Sequence, residues 1–147
     1  MGSCYNYSRL KKRREQLYKE FCDSILAINP AIRFAGIADP DGKLLGISER
    51  KGLQPLLTPE QRAQYAITAA TRQFTRLRWE YHLGKIHYAS SHYTKLIRAT
   101  IPITDVERQL WYVLLLSFDV GTDNFHEIIT KSIVPLVSQN TTRLIEN

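Results

Sequence analysis

The sequence predicts a single α+β domain running helix, two strands, helix, three strands, helix. Three observations predict it. The segments "IRFAGIAD" (32–39) and "QLWYVLLLSF" (109–118) are apolar on both faces, as strands covered from both sides are. Three other segments repeat apolar residues at helical spacing. The first two strand-like segments are separated by Pro-Asp-Gly, too few residues for a parallel crossover, so they pair antiparallel.

Residues 8–28 contain no Gly or Pro, and Leu10, Leu17, Phe21, Ile25 and Ile28 recur on one side of a helix. Ser8 is placed to cap its start, and Asn29-Pro30 stops it. The doubly apolar strand follows. Asp41-Gly42 then turns the chain into "KLLGIS", because Gly accepts the positive φ that a tight turn demands. "TPEQ" (58–61) opens the second helix, with Thr58 as N-cap, Pro59 at the first helical position and Gln61 closing a capping box. That helix is expected to reach Leu83, with Gly84 at its C-terminus. Ala63, Ala66, Ile67, Ala70, Phe74, Leu77 and Tyr81 form its expected core stripe. "KIHYASSHY" and "KLIRATIPI" read as strands, the second with Ile97, Ala99, Ile101 and Ile103 on one face and Leu96, Arg98 and Thr100 on the other. "TDVERQ" reads as a polar loop. Asp123 is placed to cap a last helix whose Phe125, Ile128, Ile129, Ile133 and Leu136 face inward, and Pro135 is expected to kink or end it. Residues 138–147 read as a loose tail.

Composition narrows the function. The 147 residues are 44% hydrophobic and 23% charged, the profile of one globular domain spanning 1–147. No apolar run approaches the roughly 20 residues of a membrane span, and the N-terminus lacks the apolar segment of a signal peptide, so the expected location is the cytoplasm. Cys4 and Cys22 are too few for a disulfide framework. The net charge of +6 is concentrated near the N-terminus, where residues 1–14 form a basic segment. Arg9, Lys11, Lys12, Arg13 and Arg14 form a candidate anion-binding run for nucleic acid or an anionic surface; the alternative is a solvated helix face.

Catalytic readings fail on spacing. "GIADPDGKLLGI" (36–47) has the Asp-x-Asp that opens haloacid dehalogenase-type phosphatases, with Asp39 as nucleophile, Asp41 as acid/base and Asp119 and Asp123 as a distant acidic pair. Lys43, however, stands where such enzymes carry Thr, and the next strand begins at once; the segment reads as a turn. As a calcium loop it would need a bidentate Glu at the twelfth position, where Arg50 stands. No phosphate-binding glycine motif exists. His87 and His92, five apart on a strand, point to opposite faces and do not share a metal. No catalytic residue, cofactor or metal site is assigned.

The second face of the middle helix is more informative. Tyr65, Arg72 and Trp79 recur every seven residues, with Ala69 and Arg76 beside them. Tyr, Trp and Arg are enriched where proteins meet proteins. These five are the candidate interface residues, for self-association through paired copies of the helix; packing against neighbouring loops is the alternative. "KIHYASSHY" supports pairing, since an edge strand there carries no Pro and only one Lys to block it.

The element order resembles the roadblock/longin group of profilin-like folds. Three stretches, "INPAIRFAGIADPDGKLL", "LGKIHYASSHYTKLIRATIPI" and "LWYVLLLSFD", resemble a family of small proteins of ammonia-oxidising archaea. The resemblance implies a five-stranded antiparallel sheet in order 2-1-5-4-3, with the first and last helices on one face and the middle helix on the other. It also implies a non-enzymatic homodimer joined through the middle helix and third strand, acting as a scaffold for a small GTPase or another signalling partner, without catalytic residues. The basic segment, the "TDVERQ" loop and Pro135 depart from that pattern. The rival reading is a PAS-like ligand sensor with a polar pocket near Tyr88, His92 and Arg98.

Overall fold

A computed structural model describes residues 2–146. Strands β1 (Ile32–Ala38), β2 (Leu44–Glu49), β3 (Ala89–His92), β4 (Leu96–Thr104) and β5 (Leu110–Asp119) form one antiparallel sheet in order β2-β1-β5-β4-β3. The two strands apolar on both faces, β1 and β5, are indeed interior. Helix α1 (Gly2–Leu26) and the C-terminal helices cover one face, and α2 (Pro59–Leu77) covers the other.

The two layers differ in depth. Under α1 lie Phe21, Cys22, Ile25, Ile37, Ile101, Leu114, Phe118, Ile129, Ile133 and Leu144, all 3% exposed or less. Under α2 the buried cluster is Phe34, Ala38, Ala66, Ala69, Ala70, Val113 and Leu115. Alanines let α2 approach the sheet closely but leave a thin layer. β4 alternates as read: Ile97, Ala99, Ile101 and Ile103 join the deep core, while Arg98 and Thr100 face α2.

The β1–β2 turn is set by Asp39, whose carboxylate accepts from the backbone N–H groups of Asp41 and Lys43, both at 2.9 Å. Gly42 has φ +90, and a Cβ there would stand 2.4 Å from Cα of Ile67. The turn is therefore pressed against α2. Thr58 and Gln61 form the capping box that the sequence announces.

Several expectations are corrected. Ser8 lies within α1, which begins at Gly2, and Leu10 is 53% exposed. α2 stops at Leu77; the chain turns at Arg78 and Trp79 into the short α3 (Glu80–Leu83), ended by Gly84 at φ +90. Its buried face is Ala66, Ala69, Ala70 and Gln73, rotated from the expected stripe, so Ala63, Ile67 and Phe74 are exposed and Tyr81 is 94% exposed. β3 is four residues, not nine. After α4 (Phe125–Ile128), one wide π-type turn (Ile129–Ile133) leads into α5 (Val134–Ile145), which takes Pro135 in its first turn, where no backbone donor is needed. The expected loose tail is thus mostly helix, anchored by the buried Leu144.

Candidate functional site

The candidate interface residues gather along the side of α2 that faces the β3 edge. Tyr65, Ala69, Arg72 and Arg76 line a narrow groove whose opposite wall is Ala89 and Ser91 of β3 and Arg98 and Thr100 of β4. Ala69 forms the floor at 5% exposure. Tyr65 is half-buried, its ring covered by the Arg98 guanidinium, whose Cζ lies 3.9 Å from the ring centroid. Burial raises the Tyr65 pKa and lowers that of Arg98. Trp79 stands at the end of the row on the α2–α3 turn, 58% exposed, above a 310 Å3 hollow shared with Arg76, Leu83 and Ile86. Leu83 is 82% exposed. The row is therefore a shallow trough with an apolar ledge at one end and an open strand edge beside it.

A second groove, of 630 Å3, runs beside the N-terminal half of α1. Lys11 and Arg13 meet Lys43 and Arg143 around an apolar lining that includes Leu10, Leu17, Leu44 and Leu45, with Glu15 and Glu146 also at its border. Arg9, Lys11, Lys12 and Arg13 are exposed. Arg14 leaves the proposed anion-binding run: its guanidinium donates to the hydroxyls of Tyr18 (3.0 Å) and Tyr112 (2.8 Å) and to the carbonyl of Leu144 (2.6 Å). Lys43 and Arg143 were not legible as members of this surface, because only the fold brings them beside α1.

The PAS-like pocket does not assemble. Tyr88 bonds to His126, and the His92 ring packs edge-on against Phe125 at 4.9 Å, both on the deep-core face. Arg98 lies on the other face, against Tyr65. Asp39 sets the turn, in keeping with the turn reading of Asp-x-Asp, and Asp119 accepts from Arg50 and Arg33. Among the described residues no group of three or more His, Cys, Asp or Glu side chains is placed to hold a metal ion. No described helix is long and apolar enough to cross a membrane.

No protein-family model and no curated protein sequence matches the chain. Solved structures do. A roadblock/LC7 domain from Streptomyces avermitilis superposes with a TM-score of 0.65 at 11% identity, covering 87% of this chain and 98% of that one. The gliding protein MglB from Thermus thermophilus gives 0.64 at 15%, covering 90% and 92%. MglB in a tetrameric arrangement gives 0.63 at 16%, covering 86% and 88%. The chain has the roadblock/LC7 fold.

Proposed function

We propose that this protein is a non-enzymatic, cytoplasmic interaction module that pairs with a second copy of itself through α2 and the β3 edge. The pair then presents a composite surface to a regulatory partner such as a small GTPase. One observation carries the pairing: the sheet face beneath α2 is only partly covered, leaving a trough bordered by an unpaired strand edge and the exposed Trp79 and Leu83. A second α2 laid in the trough would cover both. Tyr65 and Trp79 are equidistant from Arg72 in sequence, so a two-fold axis at Arg72 sets Tyr65 of each copy against Trp79 of the other. The tetrameric MglB arrangement supports the reading by showing that a chain of this fold assembles. Likeness to proteins of ammonia-oxidising archaea rests on the three quoted stretches.

Light scattering across a dilution series tests it. The wild-type chain is expected at twice its 17.0 kDa mass, and Tyr65→Asp with Trp79→Asp at the monomer mass with unchanged circular dichroism. A wild-type monomer at all concentrations, or a double variant that still dimerises, sinks the proposal.

The basic groove beside α1 favours a second reading, binding of an acidic macromolecule such as nucleic acid. Replacing Lys11, Lys12 and Arg13 by Gln is then expected to abolish DNA retention, and wild-type affinity should fall steeply with salt.

A further inference from the structure

Four arginines packed around the sheet have carboxylate partners. Arg33 and Arg50 share Asp119, Arg62 pairs with Glu49, and Arg108 pairs with Glu80. Arg98 has none among the described residues, although it is largely screened from water. One face of its guanidinium is taken by the Tyr65 ring at 3.9 Å. The in-plane N–H donors, five in a guanidinium, remain for another group. Burial lowers its pKa, opposed by Tyr65 and Tyr93, and the nearby cation Arg62 lowers it further. A partly desolvated cation without a counter-charge is costly unless something anionic completes it.

The surroundings show what completes it. Arg98 borders three clefts, including one of 390 Å3 lined by Leu56, Leu57, Tyr65, Tyr93, Lys95 and Leu96. That volume falls in the range of small-molecule sites, roughly 300–1,000 Å3. The walls are mostly aliphatic and aromatic, and the cationic groups are Arg98 and Lys95. Leu56 and Tyr93, large apolar side chains 47% and 49% exposed, border it.

We propose that this cleft binds a small amphipathic anion: Arg98 grips an oxyanion head, carboxylate or phosphate, while Leu56, Leu57, Tyr93 and Leu96 hold an apolar body. The guanidinium fork matches the paired oxygens of either head group. Lys95 adds a long-range charge at the mouth. The site lies on the opposite face from Tyr88 and His92 and shares Tyr65 and Arg98 with the trough beside α2.

Calorimetric titration of the full chain with octanoate, octyl phosphate and octanol tests it. At least one anion is expected to bind saturably, and octanol at least tenfold more weakly. Arg98→Gln should weaken the anion at least tenfold, and Arg98→Lys less, because a point charge lacks the fork. A preference for octanoate or for octyl phosphate identifies the head group. Absence of saturable binding by either anion, equal binding of octanol, or binding unchanged by Arg98→Gln overturns the proposal. Amide shifts in the wild-type chain on adding octanoate and octyl phosphate provide a test that needs no variant: at least one anion should perturb residues 56–57 and 93–98, and perturbation confined elsewhere also overturns it.

Discussion

Arg14 ties three elements together by donating to Tyr18 on α1, Tyr112 on β5 and the Leu144 carbonyl at the end of α5. Tyr112 donates to the same carbonyl at 2.7 Å, and burial with the Tyr18 hydrogen bond pushes its phenol up to about 12. Hydrogen bonds to a charged group contribute about 1.5–3 kcal/mol each in net terms. The bonds of one guanidinium are not additive, so Arg14→Met is expected to cost about 2–4 kcal/mol in urea unfolding. A neutral outcome would mean that Tyr112 alone fixes α5. Asp119 makes a pH prediction. The hydrogen bond from Arg50 holds its carboxyl below the usual range; burial opposes this, and Arg33 reinforces it. A depressed folded pKa contributes stability that is complete above the unfolded value of about 3.9 and is lost as pH falls through the folded value. Stability should therefore decline below about pH 4, and Asp119→Asn should flatten that limb while lowering stability at pH 7. Urea midpoints from pH 7 to pH 2.5 measure both.

At the scale of elements, the β1–β2 turn and α2 act as one unit. Gly42 combines a φ of +90 with a Cβ position 2.4 Å from the Ile67 backbone, so Gly42→Ala meets both strain and a clash with main chain that cannot swing away. The φ alone costs about 1–3 kcal/mol. The variant is expected to lose more than that, with amide shifts spreading from residues 39–44 into 63–70. Gly52→Ala is the control, because it has a φ of +75 with nothing within 4 Å and should show the backbone cost alone. These features mark what was legible. Apolarity on both faces identified β1 and β5 as interior, and Thr58-Pro59-Glu60-Gln61 located the start of α2, because both signals are local. The rotation of α2 was not legible. Its alanines and Gln73 carry little hydrophobic signal, whereas Ile67, Phe74 and Tyr81 carry much and lie exposed. For the candidate site, the sequence placed Tyr65, Arg72 and Arg76 on one side of the helix, while Trp79 falls on the turn beyond its end. It could not show that this side borders β3, nor that Leu56 and Tyr93 line one cleft with Arg98, since such placements depend on tertiary packing.

For the whole molecule, charge makes the proposed pairing testable beyond mass. The trough carries Arg72, Arg76 and Arg98 and no carboxylate. A two-fold axis at Arg72 brings that residue against its own copy and Arg76 close by, concentrating like charge at the centre of the interface. Two unit charges 4 Å apart repel by about 1 kcal/mol in water and about 4 kcal/mol at an effective dielectric constant of 20. Raising the salt from 0.1 M to 1 M shortens the screening length from about 10 Å to about 3 Å, which removes most of that repulsion between partly solvated groups. The apolar contacts of Tyr65, Ala69, Trp79 and Leu83 are not weakened by the same change. The dimer should therefore tighten as salt rises, and Arg72→Gln should tighten it at low salt while flattening the dependence. Sedimentation equilibrium of both chains at 0.05, 0.15 and 0.5 M sodium chloride measures this. A wild-type dimer that loosens with salt would mean that opposite charges cross the interface. The copies would then meet elsewhere, and the arginine-lined trough would face an acidic partner.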